Sequence, residues 1–200
     1  MIDHFKTIDE EVFAEYKHKG SRFLAYAYPT QSIGEIKIQQ DLLRKEHLKA
    51  VHVCYAYRLG FDRQHYRAND DGEPSGSAGL PILGQIDSYK LTNISIMVVR
   101  YFGGILLGVP GLVKAYKTVS KNVLSQAHII EKNVYKTLTI DFDYSKMNEV
   151  MRLIQKTGSE IIERNLQSNC RLIVNIPLVE YNTFLVYFKD HFAVNMGDYE

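Results

Sequence analysis

The residues best suited to chemistry in this sequence of 200 residues fall in two glycine-rich stretches. The first, NDDGEPSGSAG from Asn69 to Gly79, has no periodicity and is dense in turn formers, so it reads as a loop. Asp70, Asp71 and Glu73 supply the oxygen ligands that a hard cation such as magnesium takes. Ser75, Gly76, Ser77 and Gly79 lead into a helix and could cradle a phosphate on backbone N–H groups, with Gly72 and Pro74 shaping the turn. The plainer alternative is an acidic surface turn with a serine helix cap. It is preferred over the metal, so neither a metal nor a cofactor is expected.

The second stretch, YFGGILLGVPG from Tyr101 to Gly111, runs from a buried strand to a helix N-terminus. Free N–H groups and the helix dipole favour an anion at such a place. Gly104, Gly108 and Gly111 are spaced G-x-x-x-G-x-x-G, which is neither the dinucleotide fingerprint nor the phosphate-loop pattern. With Gly103, they could instead serve only a tight turn and close helix packing. Arg100 stands at the mouth of this loop. Lys114, Lys117 and Lys121 follow at steps of three and four along one side of the helix. A solvated face is the ordinary fate of such lysines, but an extended polyanion could touch both loop and stripe.

Nucleophilic catalysis finds no support. His52, Cys54, Asp70, Ser75 and Ser77 contain the side chains of a triad, yet the G-x-S-x-G elbow is absent. Cys54 lies mid-strand, where nothing lowers the pKa of a thiol. No catalytic residue is therefore expected. Arg58, Arg63, His65, Tyr66 and Arg67 mix cations with an aromatic ring, as backbone-tracking nucleic-acid surfaces do and as many exposed hairpins do.

The elements that must position these residues are legible from periodicity. Ser21–Tyr28 is a predicted strand, followed by Ser32 and Glu35 in capping-box spacing and a helix to Lys49. From Val51 to Leu59 residues alternate, placing His52, Cys54, Ala56 and Arg58 on a mixed face. Residues 64–68 return as a strand. A short helix covers 78–87, a buried strand Asn93–Tyr101, and a helix with Pro110 in its first turn reaches Ala127. Near Glu131–Asn133 the pattern changes. Strands 134–142, 159–166, 170–176 and 192–196, with helices 145–157 and 178–190, give a βαββαβ order.

The bulk numbers describe an ordinary globular chain, 46% hydrophobic and 24% charged. Residues 1–130 hold 16 Lys and Arg against 13 Asp and Glu, and residues 131–200 hold 8 against 10. This permits a basic patch on the first part and excludes a heavily basic tail. No apolar run reaches the ~18 residues that cross a bilayer, so no membrane partner is expected. MIDHFKTIDEE lacks the features of a secretion signal. With Cys54 and Cys170 far apart, a reducing, cytoplasmic location is expected.

Four stretches, KGSRFLAYAYP, AVHVCYAYRLG, NDDGEPSGSAGLPIL and VVRYFGGILLGVPGLVKAY, occur in order across residues 19–117. Together they resemble the IMPACT family, in its bacterial YigZ-like branch. The resemblance implies an α+β chain. Its first domain, 1–130, would have the ribosomal protein S5 domain 2-like fold. Its second, 131–200, would be ferredoxin-like, resembling the last domain of elongation factor G. It marks as signature residues His52 and Cys54, then Asp70–Gly76 with Ala78 and Gly79, then Arg100, Tyr101, Gly103, Gly104, Gly108, Gly111 and Lys114. Pro110, Leu80 and Val53 stand where the family commonly has a glycine, a basic residue and a second histidine. What the resemblance implies is an association with RNA or the translation machinery, and a binding protein is the leading expectation. The residues of the two glycine-rich loops leave as the alternative an enzyme, a hydrolase or phosphotransferase, acting on a small phosphorylated compound, and a protein-interaction module using the sheet of the second domain is a third. Eukaryotic members regulate translation under stress with an extra N-terminal domain, and that mechanism is not expected to transfer.

Overall fold

Lys19 and Gly20 both take positive φ, 46° and 79°, the backbone of a two-residue type I′ hairpin turn. They join β2 (Val12–His18) to β3 (Ser21–Pro29) in the computed structural model, which describes residues 3–167, 169–191 and 196–198. The chain is α+β and divides into two compact units, Phe5–Lys132 and Asn133 onward joined by the stretch ending at His4.

In the unit Phe5–Lys132 a five-stranded sheet has the order β2-β3-β6-β4-β5, with β4 (His52–Leu59), β5 (His65–Asn69) and β6 (Ile94–Tyr101). All four pairings are antiparallel. Helices α2 (Gly79–Ser88) and α3 (Gly108–Gln126) cover one face, packing Ile82, Ile86, Leu112 and Tyr116 against Phe23, Cys54, Ala56 and Val98. Helix α1 (Ile33–Glu46) covers the other, where Ile36 and Leu43 meet Val53, Tyr55 and Val99. Strand β4 is thus buried on both sides, and the face that read as mixed is core at Cys54 and Ala56.

Four elements differ from the sequence reading. β1 (His4–Ile8) and β7 (Ile129–Asn133) form a separate two-stranded sheet, and with β2 they place strands where none was predicted. Edge strand β2 buries only Ala14 fully, so its alternation is faint. Helix α1 stops at Glu46 because His47 leaves helical geometry and its ring sits between Tyr26 Oη (3.0 Å) and Tyr101 Oη (2.9 Å). Its capping box is asymmetric. Ser32 Oγ accepts the Glu35 N–H, while Glu35 reaches back to the N–H of Gln31 rather than of Ser32.

The second unit runs β8 (Tyr135–Asp143), α4 (Met147–Lys156), β9 (Glu160–Leu166), β10 (Asn169–Pro177), α5 (Tyr181–His191) and β11 (Met196–Asp198). Its sheet order is β11-β8-β10-β9, antiparallel throughout. Ile140, Phe142, Leu172 and Val174 bury against Val150, Leu153 and Phe184. Of the predicted final strand 192–196, residues 192–195 lie outside the described residues. Among the described residues, no helix is long and apolar enough to cross a membrane.

Candidate ligand cleft

Antiparallel pairing of β4 with β6 sets His52 directly opposite Arg100, both on the face covered by α2 and α3. The loop after β5 folds over this end of the sheet and inserts Glu73, which is only 7% exposed. Glu73 Oε1 accepts from Arg100 Nη1 at 2.6 Å and from Tyr116 Oη at 2.8 Å. Arg100 is 6% exposed and lies near the Phe23 and Phe102 rings, at 5.6 and 5.8 Å. Among the described residues its Nε has no partner. Arg100 is therefore not the free cation expected at the mouth of a phosphate loop. Its charge is matched inside the protein, as a buried guanidinium requires.

Around this pair the other polar groups are fixed. His52 Nδ1 lies 2.7 Å from the Asp71 carbonyl, and Nε2 faces Glu73 Oε2 across 4.0 Å. The Cys54 thiol lies within reach of Asp70 O (3.0 Å) and Tyr116 Oη (3.3 Å). Burial pushes the Cys54 thiol up, so it stays protonated and is a poor nucleophile. Burial likewise pushes the Tyr116 phenol up, and it remains a donor to Glu73.

The acidic loop uses its own donors and acceptors. Asp70 takes the N–H groups of Gly76, Ala78 and Gly79 at 2.8, 2.9 and 2.8 Å. The nest that read as a phosphate cradle thus holds an internal carboxylate, and those three N–H groups are not open to an outside anion. Asp71 accepts from Val53 N and from Arg44 Nη2, both at 2.6 Å. With Glu73 turned to Arg100, the three acids that could have shared magnesium point to separate partners. Among the described residues no cluster of three such ligands forms. Gly79 has to be glycine, because a Cβ there would lie 2.5 Å from the backbone N of Asn69.

The second glycine-rich loop forms the wall. Gly103 passes so close to the β2–β3 turn that a Cβ would meet the Gly20 carbonyl carbon at 1.8 Å, and its N–H donates to Ser21 Oγ at 3.2 Å. This anchor presents Phe102, Leu106 and Val109 to solvent, 48%, 86% and 48% exposed. Between them and the floor of His52, Glu73 and Arg100 lies a cleft of about 550 Å³. Gly103→Ala is expected to lift this loop off the hairpin and lower stability by about 3 kcal/mol, read as a fall in the urea midpoint. An unchanged midpoint would mean that the contact is not made.

The structure therefore gathers His52, Cys54, Asp70, Asp71, Glu73 and Arg100 at one end of the sheet. Tyr101 belongs elsewhere: strand alternation sends it to the α1 face, where its hydroxyl meets His47. Arg58 sits about 20 Å along β4 from His52, bound to Asp87 and stacked on Tyr66 at 4.8 Å. Arg63 also pairs with Asp87, so these two cations of the hairpin share one carboxylate. Gly108 opens α3 and lines the cleft, and Gly111 follows one turn later. Pro74 also lines the cleft, whereas Ser75 is exposed. Lys114, Lys117 and Lys121 are exposed on α3. Tyr116, on the inward face of α3, is a member of the polar floor that the sequence reading did not single out. Its signal was a hydroxyl on the inward stripe of a helix, which needs a buried partner.

These features define a two-unit α+β protein with an apolar-walled cleft over a buried acid–guanidinium–phenol floor. The Impact N-terminal domain model matches residues 19–124. A Haemophilus influenzae protein described as an IMPACT family member is 36% identical over 170 residues, 82% of this chain and 81% of its own. Escherichia coli YigZ, also an IMPACT family member, is 33% identical over 186 residues, 92% of this chain and 88% of its own. A crystal structure of a hypothetical protein superposes with TM-score 0.75 at 29% identity, covering 100% of this chain and 99% of that one. The chain belongs to the IMPACT family.

Proposed function

We propose that this chain is a cytoplasmic binding protein that holds single-stranded RNA, in the service of translation or its regulation. The observation that carries this reading is the continuity between cleft and cations. Helix α3 begins in the cleft wall at Gly108 and Val109, then bears exposed Lys114, Lys117 and Lys121 over about 10 Å of its length. Phe102 and the apolar mouth would take an unstacked base while the lysines track phosphates, the combination that single-strand binders use. Arg100 contributes to the floor and not to the phosphate contacts. Two free, buried cysteines agree with a reducing compartment.

The unit Phe5–Lys132 is read as the ribosomal protein S5 domain 2-like domain, with the boundary near residue 131. The second unit is read as ferredoxin-like. What supports the latter is its βαββαβ order with the first and third strands central, β11-β8-β10-β9.

The test is fluorescence anisotropy with a labelled ~20-nucleotide RNA across a salt series. Affinity should fall steeply with salt, and Lys114→Ala/Lys121→Ala should make the log–log slope shallower by about 1.4, the share of two phosphates on a single strand. A slope unchanged by the double substitution would take the phosphate contacts off α3. No binding at low salt would end the RNA reading and turn attention to a small phosphorylated ligand.

A further inference from the structure

The floor of the cleft presents two hydrogen-bond acceptors to each other. A carbonyl only accepts, so the contact of His52 Nδ1 with the Asp71 carbonyl at 2.7 Å puts the ring proton on Nδ1. In the neutral ring, Nε2 is then an acceptor. It stands 4.0 Å from Glu73 Oε2. Arg100 and Tyr116 both donate to Oε1, and within the described chain no donor reaches Oε2. Glu73 is more than nine-tenths buried and both residues line the cleft. Oε2 is therefore the carboxylate oxygen left available to a donor that enters the cleft. A group with N–H or O–H hydrogens that enters the cleft can reach both atoms.

We infer that this slot binds an amino group, and that in the RNA reading, on which this inference rests, it selects bases carrying an exocyclic amine. One nitrogen about 3 Å from each acceptor satisfies both with its two hydrogens, within ordinary hydrogen-bond lengths. Adenine and cytosine present such a group. Uracil instead offers one imino N–H flanked by two carbonyl oxygens, which would set acceptors against acceptors. The wall suits the remainder of the base: Phe102 and Leu106 give a flat apolar surface beside the floor. The lysines of α3 hold the strand without regard to sequence, and the slot supplies the preference.

The experiment needs only the wild-type protein and three labelled 12-nucleotide RNAs read by anisotropy at one salt concentration: oligo-adenosine, the same oligomer with N6,N6-dimethyladenosine, and oligo-uridine. The adenosine oligomer is expected to bind about tenfold more tightly than the uridine one, the size of one good base contact. Dimethylation, which removes both amino hydrogens, should erase that advantage. His52→Phe keeps a ring and deletes the acceptor, and it should bring the adenosine and uridine oligomers to equal affinity. Equal, salt-sensitive binding of all three RNAs to the wild type would overturn the slot and leave the RNA reading standing. Binding of none would overturn both.

Discussion

Glu73→Ala is expected to lower the stability of the protein by about 3–5 kcal/mol, the cost of breaking a buried ion pair from one side. Arg100 is 6% exposed, its Nη1 is 2.6 Å from Glu73 Oε1, and its Nε is already without a partner among the described residues. Removing the acid leaves a guanidinium in a low-dielectric interior with nothing to offset it, and takes the acceptor from Tyr116 Oη as well. Replacing both charges removes the problem along with the pair. Glu73→Met/Arg100→Met should therefore recover most of the loss, although it empties the floor of its polar pattern. Urea unfolding of the wild type, the alanine variant and the double variant measures this. Equal destabilisation of the two variants would show that packing, and not uncompensated charge, dominates. A wild-type midpoint for Glu73→Ala would show that the acid is not buried.

That pair also explains why the site was only partly legible in the sequence. The strands and helices that carry it repeat at periods of two and three to four residues, so β3, β4, β6 and α3 could be read directly. Strand alternation put His52 and Cys54 on one face, but pairing between β4 and β6 is a long-range fact that no local spacing contains. Without it, Arg100 looked like a free cation beside a glycine loop, and Glu73 like one of three surface acids. Tyr101 was grouped with Arg100 by adjacency, although neighbouring residues on a strand face opposite ways. The β2–β3 hairpin escaped notice because Lys19-Gly20 fills a turn more often marked by Asn-Gly. The exposed wall of Phe102, Leu106 and Val109 had no signal of its own, since apolar residues in a loop read as core until the fold shows them outside.

Asp70→Asn is expected to be the most damaging change in the acidic loop, at about 2–4 kcal/mol near neutral pH, from the loss of charge-assisted bonds to three N–H groups. An amide can turn its oxygen toward one or two of them, but its NH₂ must then face a donor. The pH dependence separates this cause from simple loss of packing. Burial works against ionisation of Asp70, yet the N–H groups of Gly76, Gly79 and Ala78 outweigh it and hold the carboxyl below its usual range. A carboxyl whose folded pKa is depressed stabilises the protein fully above its unfolded value, about 3.9. That contribution is lost as pH falls through the folded value. The wild type should thus lose the advantage of Asp70 only below about pH 4, while Asp70→Asn lacks it at every pH. The stability gap between the two should be constant from pH 8 to 5 and narrow on further acidification, because other carboxyls titrate alike in both proteins. A gap independent of pH down to 2 would mean that the ionised carboxylate is not what organises the loop. The same loop sets Asp71 O under His52 and Glu73 beside it. Releasing Asp70 should therefore unfix both acceptors of the cleft floor while leaving the lysines of α3 in place. The variant should bind RNA with the wild-type salt slope but without preference for an amino-bearing base.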